Sequence, residues 1–120
     1  MRFLATIYDD ERSRAEAPPE SYQEMLAAYG AFGEEAGDRV LAGEGLQPTA
    51  TAKTVRVQNG ERLVTDGPFA ETKEQLGGFY LLECSGLDEA LDLAAKIPGA
   101  SMGCVEVRPV VDFSEGEASS

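Results

Sequence analysis

Residues 66–83 read Asp66-Gly67-Pro68-Phe69-Ala70-Glu71-Thr72-Lys73-Glu74-Gln75-Leu76-Gly77-Gly78-Phe79-Tyr80-Leu81-Leu82-Glu83, and their reading decides the fold. The stretch opens as a turn. Asp-Gly supports the positive φ angles of a tight reversal, and Pro68 fixes one backbone angle after it. A polar segment with Thr72, Lys73 and Glu74 in succession follows. Two glycines then lead into an apolar, aromatic run that reads as a buried strand, Gly78 to Cys84. Polar groups are thus set at the entrance of a core strand, where a rigid scaffold holds loop residues in place.

Immediately upstream, Thr54–Gln58 and Glu61–Thr65 flank Asn59-Gly60, the strongest short hairpin signal. A two-residue turn pairs Val57 with Arg62 and Val55 with Val64. Before the hairpin, Val40 to Leu46 reads as a strand in which Gly43 and Gly45 bracket Glu44, ended by Gln47-Pro48. Phe3 to Tyr8 is the first strand, with Phe3, Ala5 and Ile7 on one face and Leu4, Thr6 and Tyr8 on the other. Arg12 to Ala17 is polar and reads as a loop. Pro18-Pro19-Glu20 opens a helix carrying Tyr22, Met25, Leu26, Tyr29, Phe32 and Ala36 at helical spacing, with Gly37 as its stop. Gly30 and Gly33 inside it suggest close packing on the sheet.

Downstream of the deciding stretch, Ser85 to Asp88 has the form of a capping box. Leu87, Ala90, Leu91, Ala94 and Ile97 form one helical face, and Pro98-Gly99 stops the helix. Gly103 to Pro109 is the last strand, with Val105 and Val107 on one face and Cys104, Glu106 and Arg108 on the other. Residues 1–110 form one domain, and 111–120 read as an acidic, disordered tail. Apart from the inserted β-hairpin, the order is β-α-β-β-α-β, an α+β chain of ferredoxin-like arrangement. Two helices cover only one face of such a sheet, so the other face calls for a partner, and a second copy is the commonest one.

Composition narrows the function. A chain of 120 residues with 42% hydrophobic content holds a single core. Its net charge of −12, with basic residues scattered, argues against direct nucleic-acid binding. No apolar run approaches a membrane span, and strand-like sequence begins at Phe3, so a cytoplasmic location is expected and membrane association is not. With no histidine there is no His-based general base and no His-containing zinc site. No cofactor fingerprint is present: Gly43-Glu44-Gly45 lacks the third glycine of a dinucleotide turn. Asp9-Asp10-Glu11 lacks the spacing of a calcium loop, so no metal site is expected. Cys84 and Cys104 read as buried reduced thiols. Cys84 ends the third main strand and Cys104 begins the fourth. These strands run parallel in the ferredoxin-like order, which keeps the two sulfurs too far apart to bond.

The candidate site residues each carry two readings. Asp66 is a base or polar anchor at a cleft mouth, or a turn aspartate bonding nearby backbone amides. Thr72 and Lys73 could together grip a carboxylate or phenolate, or simply be solvated loop residues. Glu44 has unusual backbone access, or faces water on a bulged strand. Glu106 and Arg108, two apart on one strand face, are ligand contacts or an exposed ladder. Tyr8 is a phenolic donor, or a core side chain with its hydroxyl at the rim.

Asp66-Gly67-Pro68-Phe69 with Glu71-Thr72-Lys73-Glu74-Gln75-Leu76-Gly77-Gly78-Phe79 resembles the signature of the DGPF branch of the YCII-related family. Phe3 to Tyr8, Gly43 to Pro48, Thr54 to Val57 and Val105 to Pro109 extend the resemblance over roughly residues 1–110. It implies a dimeric α/β-barrel assembly, a homodimer with a cleft between or beside the sheets. It also implies a small-molecule-binding protein acting on a small anionic or phenolic ligand, one branch of the family resembling a dehydrochlorinase of chlorinated hydroxyquinols. The histidine–aspartate pair proposed for the wider family has no counterpart here, so any catalysis falls to carboxylate, lysine or tyrosine groups, with Asp66 and Lys73 as candidates. The alternative reading is an accessory module that associates with an extracytoplasmic-function sigma factor, as the genomic neighbourhood of DGPF members suggests.

Overall fold

The computed structural model describes residues 1–115, so the last part of the expected tail, 116–120, lies outside the described residues. β1 (Arg2–Asp9) is the central strand, and its alternation sets the two faces of the sheet. α1 (Glu11–Glu16) follows, then α2 (Pro19–Ala36), β2 (Val40–Gly45), β3 (Lys53–Gln58), β4 (Glu61–Asp66), β5 (Gln75–Glu83), α3 (Leu87–Ala94), a four-residue helical turn α4 (Gly99–Met102) and β6 (Cys104–Pro109). A short 3-10 turn at Phe113–Glu115 follows β6.

The main sheet has the order β2-β5-β1-β6, with every neighbouring pair antiparallel. β5 and β6 both flank β1 and therefore run parallel to each other. This is the ferredoxin-like order expected from the sequence. The β3–β4 hairpin forms a separate two-stranded sheet in the expected register, with Val57 opposite Arg62 and Val55 opposite Val64. Asn59 and Gly60 sit at φ 52° and 78°, as its two-residue turn requires.

The core lies on one face only. Phe3, Ala5 and Ile7 of β1 and Leu82 of β5 pack with Cys84 against Phe32 and Ala36 of α2 and Ala90, Leu93, Ala94 and Ile97 from α3 and the turn after it. Tyr80 joins them, its ring centroid 5.1 Å from that of Phe32 and 6.5 Å from that of Tyr29. Of the stripe expected along α2, Tyr22 and Leu26 are exposed, because the N-terminal half of the helix runs past the core. On α3 the buried stripe takes in Leu93, while Leu87 and Leu91 are exposed.

Four local readings are corrected. The segment read as a loop at 12–17 is largely α1. Asp10 caps it, accepting from the Arg12 amide at 2.9 Å, and since the helix buries nothing it has no apolar periodicity to betray it. Gly30 and Gly33 do not mark close packing, for a Cβ at either would meet nothing within 4 Å. The α3 cap uses Glu89 rather than Asp88: its carboxylate accepts from the Ser85 amide at 2.7 Å. Of the two thiols, Cys84 is buried and Cys104 is exposed, since Val105 and Val107 take the helix-facing side of β6 and leave Cys104 on the other. Register puts Glu83 opposite Arg2 and Cys104 opposite Tyr8, so the cysteines sit near opposite ends of β1, about 20 Å apart, and both are free.

The molecule is flat. Its extents are 48 × 42 × 19 Å, and its radius of gyration is 16.7 Å. A compact domain of this length would have about 13.6 Å. The second face of the main sheet, bearing Leu4, Thr6, Tyr8, Phe79 and Leu81, is covered by no helix and stays half-exposed. Among the described residues, no helix is long and apolar enough to cross a membrane.

Candidate functional site

The open face has its most structured corner where β1 ends and β6 begins. Tyr8 lies directly opposite Cys104, and Thr6 opposite Glu106, so the four side chains share the face as close cross-strand neighbours. Gly103 makes this approach: a Cβ there would stand 1.9 Å from the Tyr8 carbonyl oxygen, so only glycine lets β6 enter beside β1. On the other side of β1, the register shifts between Ile7 and Tyr8, so that Leu76 rather than Gly77 faces Tyr8. This bulge turns the 72–75 loop over the end of the sheet. Thr72 and Glu74 thereby meet Tyr8, Cys104, Val105 and Glu106 around a concavity of about 540 Å³.

The loop is held by its own polar groups. The Thr72 hydroxyl donates to the Glu74 carbonyl, and the Gln75 side-chain amide donates to the Thr72 carbonyl at 2.5 Å. Gln75 also accepts from the Glu11 amide at 2.9 Å, and Glu11 in turn accepts from the amide and hydroxyl of Thr49, each at 2.8 Å. α1, the segment before the hairpin and the site loop are thus tied into one rim.

Acidic groups dominate the concavity. The Cys104 thiol donates to Glu74 Oε1 at 3.8 Å. Partial loss of hydration raises its pKa above the ordinary thiol value, and the Glu74 charge, that hydrogen bond and Glu106 add to the rise. The rise disfavours the thiolate, the nucleophilic form, at Cys104. Glu106 pairs with Arg108 at 3.0 Å along its own strand, both side chains well exposed. The residues around the concavity offer two carboxylates, a phenol, a thiol and a hydroxyl, and no cation. Such a surface accepts hydrogen bonds from a ligand's hydroxyl or amine groups more readily than it binds an anion.

Of the residues singled out in the sequence, Tyr8, Thr72 and Glu106 are brought together here, and Arg108 adjoins through Glu106. Glu44 lies on the same sheet face across β5, opposite Phe79, and is not part of the concavity. Asp66 closes the base of the hairpin in an exposed pair with Lys53 at 2.5 Å. Lys73 is exposed and does not line the concavity. Glu74, Cys104 and Val105 are the lining residues the sequence reading passed over. Their signal was the register of β6 against β1, which periodicity alone does not supply. A second concavity of about 650 Å³ lies on the helical side, among Met25, Ala28, Phe32, Pro98 and Met102, with the Glu35–Lys96 pair at its edge.

Comparison with known proteins agrees with the fold. The family model described as YCII-related domain matches residues 1–114. A 77-residue segment is 54% identical to "Uncharacterized protein R00369" of Rhizobium meliloti (strain 1021), spanning 62% of this chain and 62% of that protein. Among solved structures, the chain is similar to 5-chloro-2-hydroxyhydroquinone dehydrochlorinase from Burkholderia phenoliruptrix AC1100, determined in complex with 2,5-dihydroxybenzoquinone. The TM-score is 0.52 at 17% identity, with 96% of this chain and 98% of that one covered. At that identity the likeness speaks to fold alone. None of these findings bears on a sigma-factor partner.

Proposed function

The chain belongs to the YCII-related domain family, and on that premise we propose that it binds a small phenolic molecule in the concavity between Tyr8, Glu74 and Glu106. The observation that carries this reading is the lining: two carboxylates and a tyrosine converge, while Lys73 and Arg108 stand outside it. Of the anionic and phenolic ligands the sequence suggested, the phenolic class suits this surface. Its hydroxyls donate to Glu74 and Glu106, and its ring lies against Tyr8. A carboxylate group on the ring would meet like charge. That a structure of the same fold was determined with a dihydroxybenzoquinone adds support by analogy. A ligand hydroxyl at Glu74 or Glu106 also stands beside a group able to accept its proton, which is the general base this histidine-free chain offers.

Within the family, the Asp66–Phe69 motif supports assignment to the DGPF branch. The half-exposed open face with Leu4, Phe79 and Leu81 supports a homodimer in which a second copy covers it. A cytoplasmic location fits two unpaired thiols.

The test is calorimetric titration with catechol and with benzoate. Catechol binds, benzoate binds about tenfold more weakly or not at all, and Glu74→Gln or Glu106→Gln weakens catechol. Tighter binding of benzoate, or catechol affinity indifferent to both substitutions, would overturn the reading.

A further inference from the structure

The β3–β4 hairpin is an arm that adds no residue to the core of its own chain. None of its residues is buried, and Val55, Val57 and Val64 are 58%, 70% and 48% exposed. Register gathers these three valines with Arg62 on one face of the ribbon. A two-stranded hairpin alone in water is marginal, and an apolar stripe along it is a surface waiting for a partner. Only its base is anchored. The Gly67 amide donates to the Ala52 carbonyl at 2.8 Å, the Thr54 hydroxyl donates to the Gly67 carbonyl at 2.8 Å, and Lys53 pairs with Asp66.

Charge indicates what the arm meets. In a chain of net charge −12, residues 53–66 carry Lys53, Arg56 and Arg62 against Glu61 and Asp66, a net of +1. Lys53 is taken up by Asp66, whereas among the described residues Arg56 and Arg62 form no ion pair. The open face of the sheet is the complement: apolar at Leu4, Phe79 and Leu81, acidic at Glu44 and Glu74, with Glu106 already paired to Arg108 on the same face. One chain thus carries both halves of a match that it does not make with itself, for no arm residue lines the concavity. A two-fold pair of copies satisfies both halves at once.

We propose that in the homodimer the arm of each copy lies on the open sheet face of the other, with the partner's Arg62 set against Glu74, so that each concavity is closed by the partner. This rests on the homodimer of the preceding section and adds the element that builds it. It makes the ligand site composite: the valine stripe roofs the phenolic ring, and the guanidinium offsets one of the two carboxylates, so that the closed site keeps an acidic excess against an anionic ring.

The experiment combines sedimentation mass with the alkylation rate of Cys104, the exposed thiol, Cys84 being buried. At tens of micromolar the natural chain has twice its single-chain mass and Cys104 alkylates slowly, the rate rising on dilution. Val57→Asp and Arg62→Glu each raise the dimer dissociation constant about tenfold or more and bring Cys104 to the dilute rate. Because no arm residue belongs to the core, urea unfolding of both variants at single-chain concentration keeps the midpoint of the natural chain. If both variants keep the dimer mass and the slow rate, the arm proposal is overturned while a face-to-face dimer stands. A natural chain that sediments as a single copy overturns arm and dimer together, and leaves phenolic binding to stand or fall on the titrations above.

Discussion

β1 presents two faces to two different surroundings. Phe3 and Ala5 are wholly buried under α2 and α3, and Ile7 nearly so, whereas Leu4, Thr6 and Tyr8 between them are half-exposed on the open side. The strand is one piece of backbone with one register, so the difference comes from what lies over each face. Among the described residues the fully buried side chains are all apolar, and the burial that stabilises the single chain lies on the covered face. The open face mixes apolar residues with Glu44, Glu74, Glu106 and Tyr8, and that is where recognition is available. The fold has separated stability from chemistry across the thickness of one sheet.

The largest effect that could break this comparison comes from adjacent residues of β5. Leu82 is fully buried on the covered face, so Leu82→Ala should cost about 2–5 kcal/mol in urea unfolding. Leu81, half-exposed on the open face, should cost less than half as much when measured at dilute, single-chain concentration. Equal costs would mean that the two faces are not energetically distinct. Next in size is Gly103→Ala. Its Cβ would collide with the Tyr8 carbonyl at 1.9 Å, in backbone that cannot yield without parting β6 from β1. A loss of about 1–3 kcal/mol is expected, together with weakened catechol binding, because the same contact sets Cys104 opposite Tyr8. An unchanged unfolding midpoint would show that the strand entry is looser than described.

The legible part of the fold was the part written in local pattern. Alternation in Phe3–Tyr8 and in Phe79–Cys84, the Asn59-Gly60 turn and the Pro19 and Gly37 helix limits all lie within a few residues of one another, and the structure follows them. α1 was missed because its six residues bury nothing, so the only sign of it was the Asp10 cap. The glycines of α2 were over-read, since a missing side chain signals close approach only where something approaches. The site was half legible. Tyr8, Thr72 and Glu106 could be named as polar groups at strand ends, but their meeting with Glu74 and Cys104 depends on β1–β6 register and on the bulge after Ile7, both non-local. Cys104 reads as a small apolar residue in sequence, and only its partner across the ladder reveals it as exposed.

A smaller effect sharpens the contrast at the two thiols. Both pKa values are raised, Cys84 first by burial and Cys104 by partial dehydration with the carboxylates beside it. An acid whose pKa is raised keeps its proton to higher pH, so Cys104 alkylation should reach its half-maximal rate at a more alkaline pH than a free cysteine does. Glu74→Gln removes one of the charges that favour the thiol and should move that midpoint down. A midpoint insensitive to Glu74 would separate the loop from β6 and leave the concavity without one wall.

The central claim, that the open face holds the ligand, is tested most directly by mapping catechol onto the backbone amides by NMR. The account predicts shifts concentrated at Tyr8, Thr72, Glu74 and Cys104 to Glu106, saturating with a single dissociation constant. Shifts centred instead on Met25, Phe32 and Met102 in the helical groove, or no shifts at all, would contradict it.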